Sequence, residues 1–254
     1  MERFLASSHG KMWHDFLNAY LNHRSYVLHI FSDGLPINSK VLDFGCGEGE
    51  YLIQLVDYCI YAKKSCYGIG VDISSESLRK AVQNAIRSKF RHQIDFVLAD
   101  VNYLPFKQET FDGALIMNVL HHLSNFVSIK QLHKIIKKNG TLLIIDLPSA
   151  NPFKFLGRKI ARYIDISVLG YGRSFLFFTP IRLKCAISMV GFKIIKEDHK
   201  DFFFRKLLIL FLLPPFANFI SNKTLMALYR IEEKIEKSGL LNELCSCILL
   251  YCIN

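Results

Sequence analysis

From Lys40 onward, short apolar runs alternate with stretches whose apolar positions recur every three or four residues. The first pattern predicts buried strands and the second amphipathic helices, so their alternation predicts a parallel sheet assembled from βαβ units. Five runs read as strands: KVLDFG, YGIGVD, IDFVLAD, FDGALIMN and TLLIID. Each closes at a polar residue, in order Asp43, Asp72, Asp100, Asn118 and Asp146. In an open α/β sheet the ligand crevice lies beyond the carboxyl ends of the strands, so these five side chains are expected along one edge. Phe192 to Asp198 predicts a sixth strand, and Cys245 to Ile253, apolar throughout, a last one.

Helices fit between the strands. Ser74 or Ser75 can cap a helix with Leu78, Ala81, Val82, Ala85 and Ile86 on one face. Ser124 opens another, which carries Leu132, Ile135 and Ile136, gathers Lys134, Lys137 and Lys138 near its negative pole, and stops at Asn139 and Gly140. Thr179 and Pro180 start a third that ends at Gly191. Residues 1–36 read as a helical N-terminal cap with Trp13, Phe16, Leu17, Tyr20 and Leu21 at helical spacing. The domain proper then spans 37–254, with insertions at about 148–178 and 199–244. The first insertion holds an amphipathic stretch with Lys154, Arg158, Lys159 and Arg162, and the second is rich in Phe and Leu.

Composition narrows the setting. At 254 residues and 51% hydrophobic, the chain can bury a full core. A net charge of +10 permits attraction to nucleic acid, an anionic membrane or an acidic substrate without choosing among them. The seven cysteines include no C-x-x-C pair and read as reduced thiols of a cytoplasmic protein, and no metal-ligand spacing stands out. Residues 1–10 lack the continuous apolar segment of a secretory signal. The most apolar run, Leu207 to Ile220, is broken by Pro214 and Pro215 and falls short of the ~20 residues a membrane span needs, although it could lie on a membrane surface.

The chemistry is concentrated at Val41 to Glu50, VLDFGCGEGE, where an apolar strand runs into an acid and then three alternating glycines. Such a turn needs glycine because the backbone bends sharply and a ligand must approach without a Cβ in the way. A dinucleotide fingerprint would place a glycine at position 50, which is Glu50. Asp43, Glu48 and Glu50 would repel a pyrophosphate and tolerate a ligand carrying ammonium and sulfonium charges. At these residues the chain resembles the class I S-adenosylmethionine-dependent methyltransferases, whose first motif is an acid, a spacer and G-x-G-x-G.

That resemblance covers residues 38–146 closely and implies a three-layer, Rossmann-like α/β sandwich. Its sheet would have seven mostly parallel strands, the last antiparallel, with helical cap insertions. The implied cofactor is S-adenosylmethionine. Gly45, Cys46, Gly47 and Gly49 would lie along its amino-acid portion, and Asp43 would hold the loop or receive the ammonium. Asp72 would accept the ribose hydroxyls with Ile73 against adenine, Asp100 would receive the adenine amine with Val101 alongside, and Asn118 would contact the methionine portion. Asp72 follows Asp43 at a slightly long interval, for which Asp57 to Lys64 would be an extra loop. Trp13, His14 and Tyr20 would be substrate contacts.

His121 and His122 follow Asn118 at the expected mouth of the pocket, and histidine titrates in the right range for a general base. His122 is the stronger candidate, Asp146 a further one; capping or bracing a turn is the structural alternative for each. The fourth motif reads NVLH, unlike the N-P-P-aromatic form of the related nucleic-acid enzymes, and most resembles the branch acting on small molecules, quinones and lipid precursors. The implied activity is methyl transfer, on oxygen, to a small apolar or lipid-linked acceptor, at an anionic inner membrane face or in the cytoplasm. No specific nucleic acid is expected, and no oligomeric state is implied. Two other classes stay open: an RNA- or protein-modifying methyltransferase, and a donor-binding protein without turnover.

Overall fold

A computed structural model describes residues 27–123, 126–146, 179–200 and 247–254, with isolated positions between 224 and 239. Trp13, His14, Tyr20, Ser124, Arg158 and Cys245, the Leu207 to Ile220 run and nearly all of both proposed insertions lie outside the described residues.

Strands β1 (Ser39–Phe44), β2 (Cys66–Asp72), β3 (Ile94–Leu98), β4 (Phe111–Met117), β5 (Ile136–Asp146), β6 (Lys193–Lys200) and β7 (Cys247–Ile253) form a seven-stranded sheet in the order β3-β2-β1-β4-β5-β7-β6. The first five pair in parallel, and β7 runs antiparallel to both β5 and β6. Helices α1 (Glu50–Tyr61), α2 (Ser75–Ile86), α3 (Val127–Ile135) and α4 (Pro180–Val190) connect them.

Two apolar cores give the three layers. On one face Leu42, Phe44, Ala114, Ile116, Leu142 and Ile144 pack with Ile129, Leu132, Leu183 and Ile187 of α3 and α4. On the other, Val41, Leu115, Met117, Leu143 and Ile145 pack with Leu52, Leu55 and Val56 of α1 and with Leu28 and Phe31 of the helical stretch 27–34. The strands alternate which face each residue serves, and both faces are buried, which is why they read as continuous apolar runs.

Caps set the helix ends. The Ser74 side chain accepts the Ser77 N–H, and the Thr179 side chain accepts the Arg182 N–H ahead of Pro180; Gly191 closes α4 in the left-handed region at φ 119°. Some expectations need correction. Ile86 is 65% exposed: it is the last residue of α2, a step of about 100° around the helix from the buried Ala85. Asp57 to Tyr61 continue α1, so the extra length before β2 is helical and only residues 62–65 turn. Helix α3 stops at Ile135, and Ile136 to Gly140 already belong to β5, where Ile136 pairs with Phe111 and the register shifts before Thr141. The Asn254 amide caps this end, donating to the carbonyls of His133, Ile136 and Lys137. β3 ends at Leu98, so Asp100 lies in the loop beyond it.

Candidate active site

The glycine loop is held open by its own backbone. Gly45 N and Cys46 N both donate to the Val71 carbonyl at 2.8 and 2.9 Å, which pins the loop across the end of β2. Gly45, Gly47 and Gly49 all have positive φ, at 77°, 52° and 77°. A Cβ on Gly45 would lie 2.6 Å from a Val119 methyl, whereas one on Gly47 would meet nothing within 4 Å. The first glycine is therefore demanded by protein packing as well as by backbone, and the second leaves open space facing the cleft.

That cleft has a volume of about 830 Å³ and lies off the carboxyl ends of the first four strands. Gly45, Cys46 and Gly47 line it together with Asp72, Ile73, Asp100, Val101, Asn118 and His122. The sequence had placed Asp43 and Gly49 there too, but the cleft wall does not include them. Gly49 sits behind the loop, where a Cβ would press on Phe96 and Ala81. Asp43 lies beneath the loop, 1% exposed, with neither carboxylate oxygen hydrogen-bonded among the described residues. Burial, reinforced by Asp72, pushes its carboxyl up to about 7, and the nearby Leu52 amide offsets only part of this.

Asp72 ties the loop to the next helix. One of its oxygens accepts Gly47 N and the other Ser74 N, each at 2.8 Å. A carboxylate has about four acceptor sites, so two hydroxyls can still be received. Asp100 accepts both the backbone N–H and the side-chain amide of Asn102, an Asx turn that bends the chain along the cleft. Gln131 of α3 anchors the same loop, accepting Leu104 N and donating to the Asn102 carbonyl. Burial drives the Cys46 thiol far above its usual range, followed by Asp43 and Asp72, so it lies against the ligand space as a neutral thiol.

The two histidines part company. His122 lines the cleft, and partial burial followed by neighbouring His121 lowers its pKa, with Asp146 opposing. His121 is buried at 7% exposure and does not line the cleft; its Nδ1 lies 2.6 Å from Asp146 Oδ1. Asp146, fully buried at the tip of β5, is absent from the cleft wall as well. Sequence reading did not single out Tyr51, Asn102, Met117 or Leu123 as lining residues. The D-x-N spacing of Asp100 and Asn102 was an available signal, and Met117 and Leu123 bracket the Asn118 to His122 turn; nothing in the sequence marked Tyr51.

The residues present fit a cationic nucleoside. Four carboxylates, Glu48, Glu50, Asp72 and Asp100, line the cleft, and among the described residues a fifth lies buried beneath it without a hydrogen-bond partner and no Lys or Arg lines the wall. Ammonium and sulfonium charges are favoured there and phosphates opposed. Fold and site together define the class I methyltransferase architecture. A family model for a methyltransferase domain matches residues 37–162, about half of the chain. Among curated proteins, a sterol 24-C-methyltransferase of Kluyveromyces lactis is 25% identical over 72% of this chain and 47% of its own length. A demethylmenaquinone methyltransferase of Protochlamydia amoebophila is 29% identical over 62% and 67%. A tRNA (carboxymethyluridine(34)-5-O)-methyltransferase of Arabidopsis thaliana is 34% identical over 45% and 25%. The chain thus spans only a quarter to a half of the length of the first relatives it matches.

Among solved structures, geranyl diphosphate methyltransferase bound to sinefungin superposes with a TM-score of 0.60 at 10% identity, covering 89% of this chain and 76% of that one. The cyclase SpnF gives 0.60 at 16% identity, covering 91% and 80%. Likeness at this identity speaks for the fold alone, and a cyclase among such neighbours illustrates why. The chain belongs to the class I S-adenosylmethionine-dependent methyltransferases, and S-adenosylmethionine is its cofactor.

Proposed function

We propose that the protein methylates a small apolar or lipid-linked acceptor, on oxygen, with His122 as general base. The observation that carries the choice of acceptor is the lining of the cleft. Tyr51, Met117, Val119 and Leu123 line it together with His122, and no Lys or Arg is among its described lining residues. The sterol and quinone methyltransferases among the relatives support the same class of acceptor. We place the protein in the cytoplasm or peripherally at an anionic inner membrane face, on the strength of the basic and Phe-rich stretches around Arg158 and Leu207.

Gly45, Cys46 and Gly47 would hold the donor's amino-acid portion, Asp72 its ribose, and Asp100 its adenine amine, with Ile73 and Val101 against the ring. Bound S-adenosylmethionine supplies a methyl group activated by the sulfonium, so the chain's task is alignment and proton removal. His122 lines the cleft, where it can take the acceptor's hydroxyl proton. Its lowered pKa keeps the imidazole neutral at lower pH than an ordinary histidine.

The test is incubation with S-adenosylmethionine and, separately, lipid, phenolic and RNA extracts, followed by mass spectrometry for a product heavier by one methylene. A methylated lipid or phenol is expected; methylation confined to RNA would replace this acceptor class by the second one. With the acceptor in hand, His122→Ala is expected to slow turnover about 100-fold with donor affinity nearly intact. Unchanged turnover would remove His122 as the base.

A further inference from the structure

The turn after β4 does more than display His122. Asn118 leaves the strand in the left-handed region at φ 60°, with its N–H still on the Ile145 carbonyl at 2.8 Å. Val119 then turns its methyls onto Gly45, so closely that a Cβ there would clash. Leu120 to His122 make one tight 3-10 turn, which spreads successive side chains about a third of a revolution apart. Leu120 and His121 therefore go inward while His122 goes to the cleft.

One carboxylate grips this turn at three points. Asp146 Oδ2 accepts the N–H groups of Val119 and Leu120 at 2.9 and 2.6 Å, and Oδ1 meets His121 Nδ1 at 2.6 Å. Asp146 is fully buried and His121 nearly so, and Oδ2 already accepts two backbone N–H groups, an arrangement in which Nδ1–H donating to Oδ1 completes the set. The His121 ring in turn packs on the His122 ring, with centroids 4.0 Å apart.

We infer that Asp146 and His121 are a positioning pair which holds the Asn118–Leu123 turn against the glycine loop, so that two residues outside the cleft govern how tightly it binds the donor. The path is continuous: Asp146 fixes the Val119 amide, the Val119 side chain backs Gly45, and Gly45 begins the loop that faces the ligand. Without the grip, the turn can retreat from Gly45, and His122 loses the ring behind it. The pair adds nothing to the donor's contacts and sets their register. This inference rests on the cleft being the donor site.

Calorimetry with S-adenosylmethionine on the full chain separates the two. Wild-type protein that takes up no donor would overturn the reading of the site itself. Given wild-type binding, Asp146→Asn turns one accepting oxygen into an amide that confronts N–H donors, and is expected to weaken affinity roughly tenfold. His121→Phe keeps a ring against His122 and removes the Nδ1 donor, with an expected loss of roughly threefold to tenfold. His121→Asn places an amide N–H near the position of Nδ1 and is expected to recover most of that loss. Folded Asp146→Asn and His121→Phe proteins binding the donor as wild type does would overturn the inference. Should Asp146→Asn fail to fold, the phenylalanine and asparagine variants decide it. Nitrogen-15 spectra of the histidines give an independent signature: His121 is expected with a protonated Nδ1, and an unprotonated Nδ1 would contradict the pairing.

Discussion

Burying Asp43 with no hydrogen-bond partner among the described residues makes its charge costly. Burial pushes the folded carboxyl up to about 7, well above the ordinary carboxylate range, so the folded state holds its proton more tightly than the unfolded chain. For this group, folding is favoured most below the unfolded pKa, loses ground as pH rises from about 4 to 7, and stays weakened above. Asp43→Asn is therefore expected to raise stability at pH 8 by on the order of a few kcal/mol, the gap closing as pH falls toward 4. Urea denaturation at several pH values measures it, and a pH-independent gap would contradict the titration. If Asp43 receives the donor's ammonium, as the resemblance implies, the same variant is expected to gain less from added S-adenosylmethionine than wild type. At this scale the sequence was informative about residue types and silent about direction. It placed acids at the strand ends, but not that Asp72 and Asp100 look outward while Asp43 and Asp146 look inward. Which of two adjacent histidines reaches the cleft is set by one tight turn, and no periodicity extends over so few residues.

Elements carry the next set of consequences. Gly45→Ala combines a left-handed φ with a Cβ 2.6 Å from Val119, so the loop or the turn must move. Donor affinity is expected to fall at least tenfold with the fold retained, by calorimetry alongside circular dichroism. Gly47→Ala has free space for its Cβ and suffers from its φ and from intrusion on the ligand, so its loss should appear in binding more than in stability. Thr179→Ala removes the side-chain cap of α4 and is expected to cost about 1 kcal/mol in thermal or urea unfolding without changing donor affinity. Caps of this kind were legible because Thr-Pro and Gly punctuate the chain on either side of α4. The end of α3 was not: Ile135, Ile136 and the lysines after them suit a helix locally. Pairing with Phe111 and the Asn254 amide on the last carbonyls impose the strand instead. Both influences come from residues distant in sequence, and a local pattern cannot register them.

For the whole molecule, the sheet was legible because burial on both faces forces long apolar runs, and because a parallel sheet aligns all their polar ends on one edge. The family resemblance carried the strand count and the reversed last strand, but not the order, since β4 at the centre and β7 between β5 and β6 have no local signal. The charge of +10 sits oddly beside a cleft lined by acids, and the two are reconciled by location: four carboxylates gather at the cleft, and no Lys or Arg is among its described lining residues. No helix among the described residues is long and apolar enough to cross a membrane. If the protein binds a membrane surface as proposed, it should pellet with anionic vesicles at low salt and be released at high salt. Failure to pellet at low salt would leave the acceptor to be sought among freely soluble compounds.

Titration calorimetry of the full chain with S-adenosylmethionine, beside its Asp72→Ala and Asp100→Ala variants, addresses the central claim most directly. One donor per chain is expected, with affinity lowered at least tenfold in each variant, because each removes an acceptor for a polar group of the nucleoside. Absence of heat with the wild-type protein, or variants that bind as tightly as wild type, would contradict the assignment of this cleft to the donor.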